Sequence, residues 1–118
     1  MLKDRQAFLT ILLIELDDLE QDIQLLIKHY KEEHDEHKLS NYVFFQNVAL
    51  MNEELFGIES FREEISHIDA SEYASLQDLI DDLNSRIKQR VEKQGIPNSF
   101  IFAMNRKIEK VMRYIKQE

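Results

Sequence analysis

Histidines set among carboxylates are the first residues in this chain whose types and spacing could do chemistry. His29, Glu33, His34 and His37 fall within nine residues. His34 and His37 are three apart, so on a continuing helix they share a face, with Glu33 beside it. Imidazole and carboxylate at that spacing can bind zinc or a related cation. A di-iron carboxylate site asks for more: Glu-x-x-His pairs on two helices and glutamates on two others, all directed inward. Glu33-x-x-Glu36 and His34-x-x-His37 do not complete that set, and they lie in Lys31–Lys38, a segment without an apolar residue. The segment reads as a solvated helix end, with no metal and no cofactor.

Arg62 and His67 form an Arg-x4-His pair. The spacing resembles the motif of HEPN-type ribonucleases, small helical bundles that pair two such motifs across a dimer interface. The resemblance implies a dimeric ribonuclease with Arg62 and His67 as its catalytic pair. Here Glu63 follows the arginine, where that family commonly carries Asn, Asp or His. Other chemistry finds no foothold. There is no cysteine, no serine sits in a glycine-flanked elbow, and Gly57 and Gly95 stand alone instead of forming a phosphate loop. Asp17-Asp18 and Asp81-Asp82 are expected on outer helix faces as solvated charges. No catalytic residue is assigned.

Charge is unevenly distributed. Residues 1–85 hold 6 basic and 20 acidic side chains, a net of −14, whereas residues 86–118 hold 9 and 3, a net of +6. Arg106, Lys110 and Arg113 form a row at i, i+4 and i+7 on the expected outward face of the last helix. Such a row suits nucleic acid phosphates or an acidic protein. The overall charge of −8 repels a polyanion, which favours a protein partner over a nucleic acid. Lys107 flanks the buried stripe of that helix and is expected to meet Asp22 of the first.

Aromatic residues are the other concentration. Tyr42, Phe44, Phe45, Phe56 and Phe61 place five of eleven aromatics within twenty residues. Phe44 belongs to a core stripe. Tyr42, Phe45, Phe56 and Phe61 are the candidate interface, since aromatics in excess of one core face are enriched where proteins meet.

These residues need elements to position them. Leu9, Leu12, Leu16, Leu19, Ile23, Leu26 and Tyr30 recur at threes and fours, which predicts a first helix from about Asp4 to Glu33. Phe8, Ile11, Leu13 and Ile27 widen its apolar face beyond a two-helix seam. Ser40 or Asn41 can cap a second helix with the stripe Phe44, Val48, Met51 and Leu55, ended by Gly57. Ser60-Phe61-Arg62-Glu63 matches a capping box for a short helix to about Ile68. A similar box at Asp69 opens a third long helix with Tyr73, Leu76, Ile80, Leu83, Ile87 and Val91 inward. Gly95-Ile96-Pro97 closes it, and Asn98 or Ser99 caps a fourth carrying Ile101, Met104, Ile108, Val111 and Ile115.

Two glycines and one proline in 118 residues cannot punctuate a many-stranded sheet. The expected class is all-α: a single domain over residues 1–118, folded as an antiparallel up-down-up-down four-helix bundle with an extra short helix after a break near Gly57. The apolar run Ala7–Ile14 is followed by Glu15, Asp17 and Asp18, unlike a signal peptide, and is too short to span a membrane. The expected protein is cytoplasmic, non-enzymatic and homodimeric, acting on a protein partner or on itself.

Overall fold

In the computed structural model, which describes residues 2–117, four α-helices and one 3-10 turn account for the regular structure. Helix α1 spans Leu2–Asp35, α2 Asn41–Ser66, α3 Leu76–Gln94 and α4 Ser99–Gln117, with the 3-10 turn at Ala70–Glu72 before α3. The described residues contain no strand. α1, with 34 residues, is about 51 Å long at 1.5 Å per residue, close to the 55 Å long axis of the molecule.

The helix ends follow local chemistry. Ser40 caps α2 by accepting a hydrogen bond from the Val43 N–H at 3.2 Å. Gly95 ends α3 with φ of 64°, a left-handed conformation that costs glycine little. Ile96 behind it is buried.

Gly57 ends nothing. α2 runs through it, and the short helix expected at Phe61–Ile68 is the last part of α2. A Cβ at Gly57 would lie 3.1 Å from two carbons of Ile96 and 3.3 Å from the Phe100 ring. This glycine lets α2 approach the start of α4, and no turn is needed there. The third long helix also begins later than expected. Asp69 caps the 3-10 turn through the Ser71 N–H, whereas Ser75 caps α3 through the Asp78 N–H at 3.1 Å. Tyr73 therefore precedes α3 and contributes no helical stripe.

One cluster of buried side chains draws on all four helices. Phe8, Leu12 and Leu16 of α1 meet Ile58, Phe61 and Ile65 of α2, Leu79, Leu83 and Ile87 of α3, and Phe100, Met104 and Val111 of α4. The rings of Phe61 and Phe100 pack edge to face at 6.1 Å. Burial of this kind contributes about 1.5–3 kcal/mol per large side chain. The α1 seam fades along its length: Leu9, Leu12 and Leu16 are buried, but Leu26 is exposed.

Ion pairs fasten the helices at the core's edge. Glu64 of α2 accepts from Arg86 at 2.9 Å and from Arg90 at 2.6 Å, both on α3. Arg86 also pairs with Asp82, which accepts from the Tyr73 hydroxyl. Asp82 is thus half-buried and engaged, not a free outer-face acid. Burial pushes the Glu64 carboxyl up, but the hydrogen bonds from Arg86 and Arg90 outweigh it and leave the group below its ordinary value.

Candidate functional site

The distal half of the α1–α2 pair is built differently from the rest. No residue from Asn41 to Phe56 is buried, whereas Gly57, Ile58, Phe61 and Ile65 all are. The change falls where α4 begins. Ser99 Oγ donates to Glu54 at 2.5 Å, and the backbone at Gly57 leaves little room for a Cβ beside Ile96 and Phe100. At the far end His34 stacks on Phe44 with ring centroids 4.1 Å apart, and its ring nitrogen lies 2.6 Å from Asn41 Oδ1. Phe44, Val48, Met51 and Leu55 are half-buried, as befits a stripe covered by one helix.

Phe45 sits one residue on, about 100° around the helix from Phe44. Tyr42, Phe45, Ala49, Asn52 and Phe56 follow at spacings of three, four, three and four, so they share one face. Tyr42 is 74% exposed, Phe45 64% and Phe56 56%. Glu53 and Glu59 flank this stripe, and neither has an ion-pair partner among the described residues. On the same half of the pair, Leu25, Leu26, Val43 and Leu50 are exposed as well.

Phe61 separates from the other three candidate interface residues. It is fully buried against Phe100, because the helix has turned by then to face α4. A side chain with no accessible surface cannot meet a partner, so Phe61 belongs to the core.

The basic row on α4 is also split. Lys110 Nζ lies 2.5 Å from Glu15 Oε1, and Lys107 Nζ lies 3.4 Å from the same atom. Lys110 is therefore turned toward α1, and Lys107 meets Glu15 rather than Asp22, two turns earlier on α1. Arg106 and Arg113 stay exposed, on the same side of α4 as Phe102, which is 71% exposed. The hydrogen bond from Lys110 chiefly holds the Glu15 carboxyl below its ordinary value.

The remaining candidates for chemistry are dispersed. His29 pairs with Glu33 at 2.9 Å, His34 stacks on Phe44, and His37 occupies the turn after α1 with φ of 62°. Among the described residues no group of three His, Cys, Asp or Glu is placed to hold a metal ion. Arg62 reaches Glu20 at 2.8 Å and Asp17 at 3.5 Å on α1, while His67 pairs with Glu63 at 3.0 Å at the end of α2. The two members of the Arg-x4-His spacing thus engage different acids.

Sequence reasoning missed the Glu64–Arg86–Arg90 cluster, although arginines four apart on a helix were a visible signal. It also missed Phe102, an aromatic opposite the stripe of α4. No helix of the described residues is long and apolar enough to cross a membrane. Compared with known proteins, the chain matches no family model, no curated protein and no solved structure.

Proposed function

We propose that this chain is a cytoplasmic, non-enzymatic interaction protein whose helices alternate up and down in a four-helix bundle, and that it self-associates through the outward face of α2. The contacts Asn41 to His34, Arg62 to Glu20 and Glu15 to Lys110 suit alternating helix directions. The observation that carries the interaction reading is the exposed stripe Tyr42, Phe45 and Phe56. Three aromatics on one helix face present a large apolar area to water, and aromatics dominate the binding energy of protein interfaces.

Size points the same way. A compact chain of this mass exposes about 6,700 Å² and has a radius of gyration of about 13.5 Å. This one exposes 7595 Å² with a radius of 16.5 Å. The excess is comparable to the ~800 Å² that each partner buries in a standard interface.

Sedimentation equilibrium at 1–100 µM protein, taken as roughly the range of ordinary affinities, tests the reading. The parent is expected to be dimeric and Phe45→Glu monomeric, with unchanged helical circular dichroism. A monomeric parent across that range would overturn it.

A further inference from the structure

α3 and α4 leave a groove between them that opens over the edge of the core, with a volume of about 630 Å³. Ile80, Ile87, Ile101, Ile108 and Met112 line its floor, and Asn84 and Asn105 stand along it. Lys88, Arg113 and Lys116 rim it, opposed by Glu109. None of these three bases has an ion-pair partner among the described residues. An apolar floor with a basic rim fits an amphipathic helix whose flanks are acidic.

The chain carries such a helix itself. The α2 stripe is apolar at Tyr42, Phe45, Ala49 and Phe56, and it is flanked by Glu53 and Glu59, which have no ion-pair partner among the described residues. Lengths agree too. Phe45 and Phe56 are eleven residues apart, about 16.5 Å along a helix, and so are Ile101 and Met112 along the groove. Within one chain the stripe faces solvent on α2, which Glu64 holds to α3 through Arg86 and Arg90, so it does not lie over the α3–α4 groove.

Resting on the self-association proposed above, we infer that the aromatic stripe of α2 from one copy docks in the α3–α4 groove of a second copy. The dimer interface is isologous, with the stripe of either copy seated in the groove of the other, so a twofold axis makes the contact twice and closes the pair. Phe45 and Phe56 fill the groove while Glu53 and Glu59 meet Lys88, Arg113 and Lys116. The split of charge along the sequence, acidic before residue 86 and basic after it, then serves to bring unlike surfaces together.

The absence of native cysteine allows a direct test. Ala49→Cys lies in the stripe without removing an aromatic, and Asn105→Cys lies on the groove. Mixing the two single variants under oxidation is expected to give a covalent heterodimer in excess of either covalent homodimer. Dominant Ala49→Cys homodimers would show stripe meeting stripe and overturn the docking.

An equilibrium arm separates this proposal from the one beneath it. Met112→Glu and Arg113→Glu, the latter at an exposed rim position, are each expected to weaken dimerisation, Met112→Glu by about thirtyfold or more. Mixing Phe45→Glu with Met112→Glu is expected to restore association, because one intact stripe then faces one intact groove. A dimer lost with Phe45→Glu but retained with both Met112→Glu and Arg113→Glu would sink the docking and leave self-association standing. A monomeric parent would remove both.

Discussion

Arg62 Nε lies 2.8 Å from Glu20 Oε2, with its N–H not aligned for a hydrogen bond, and Oε1 of the same carboxylate has no hydrogen-bond partner among the described residues. Glu20 is 4% exposed. Burial pushes its carboxyl above the ordinary value of 4.5, against the pull of Arg62 and with a push from Glu59 and Asp17. Five residues earlier on the same helix, Glu15 is shifted the other way by Lys110 and Lys107. Two buried glutamates on one helix therefore oppose each other in the dependence of stability on pH.

Glu20 binds its proton more tightly folded than unfolded. Its contribution is greatest below the ordinary value of 4.5 and is lost as pH rises through the raised folded value. Glu20→Gln is expected to be at least as stable as the parent at pH 7, with no such advantage at pH 4. Urea unfolding at both pH values measures this, and a less stable variant at pH 7 would refute it.

Glu15 has the reverse sign. Its carboxylate is favoured by folding, so its contribution is present above 4.5 and is lost as pH falls through the lowered folded value. Glu15→Gln should therefore unfold at lower urea than the parent at pH 7. The two curves should converge in acid. A difference that stayed constant with pH would locate the effect in packing instead of charge.

Phe61 and Phe56 lie on one helix with opposite exposure, 0% against 56%. Phe61→Ala is expected to cost about 3–5 kcal/mol of folding free energy. Phe56→Ala should stay within about 0.5 kcal/mol when measured on the monomeric Phe45→Glu background. Equal losses at the two sites would contradict the placement of the core.

The two glycines should respond to different substitutions. Gly57→Val adds bulk against Ile96 and Phe100 and is expected to cost about 1–3 kcal/mol. Gly95 has open space around it but a φ of 64°. There Gly95→Ala should cost about 1 kcal/mol through backbone strain, with Gly95→Asn costing less. Thermal melts of the three variants provide the comparison.

Much of the fold was legible because helix formation is written locally. The stripes Leu9–Leu16, Ile80–Ile87 and Met104–Val111, the cap at Ser40 and the left-handed Gly95 all depend on residues within a few positions of one another. Gly57 was misread for the same reason. A glycine at a helix end and a glycine at a close approach look alike until the second helix is in place, and the partners Ile96 and Phe100 lie some forty residues away. Ser60-Phe61-Arg62-Glu63 matches a capping box, but α2 continues through it, with Phe61 packed on Phe100 of α4.

By itself the sequence determined that the chain makes amphipathic helices, where most of them start and stop, and that its charge is divided between its two parts. Periodicity sets which side chains share a face, and that needs no knowledge of neighbours. Only the tertiary structure decided which shared faces are buried. α4 begins at Ser99, level with Glu54, so α2 below that point is enclosed and above it meets α1 on one side. Phe61 thus became core while Tyr42, Phe45 and Phe56 remained in water, and Lys110 turned to Glu15 while Arg106 and Arg113 did not. Burial depends on how far each helix extends beside the next, and no run of three and four spacings records that.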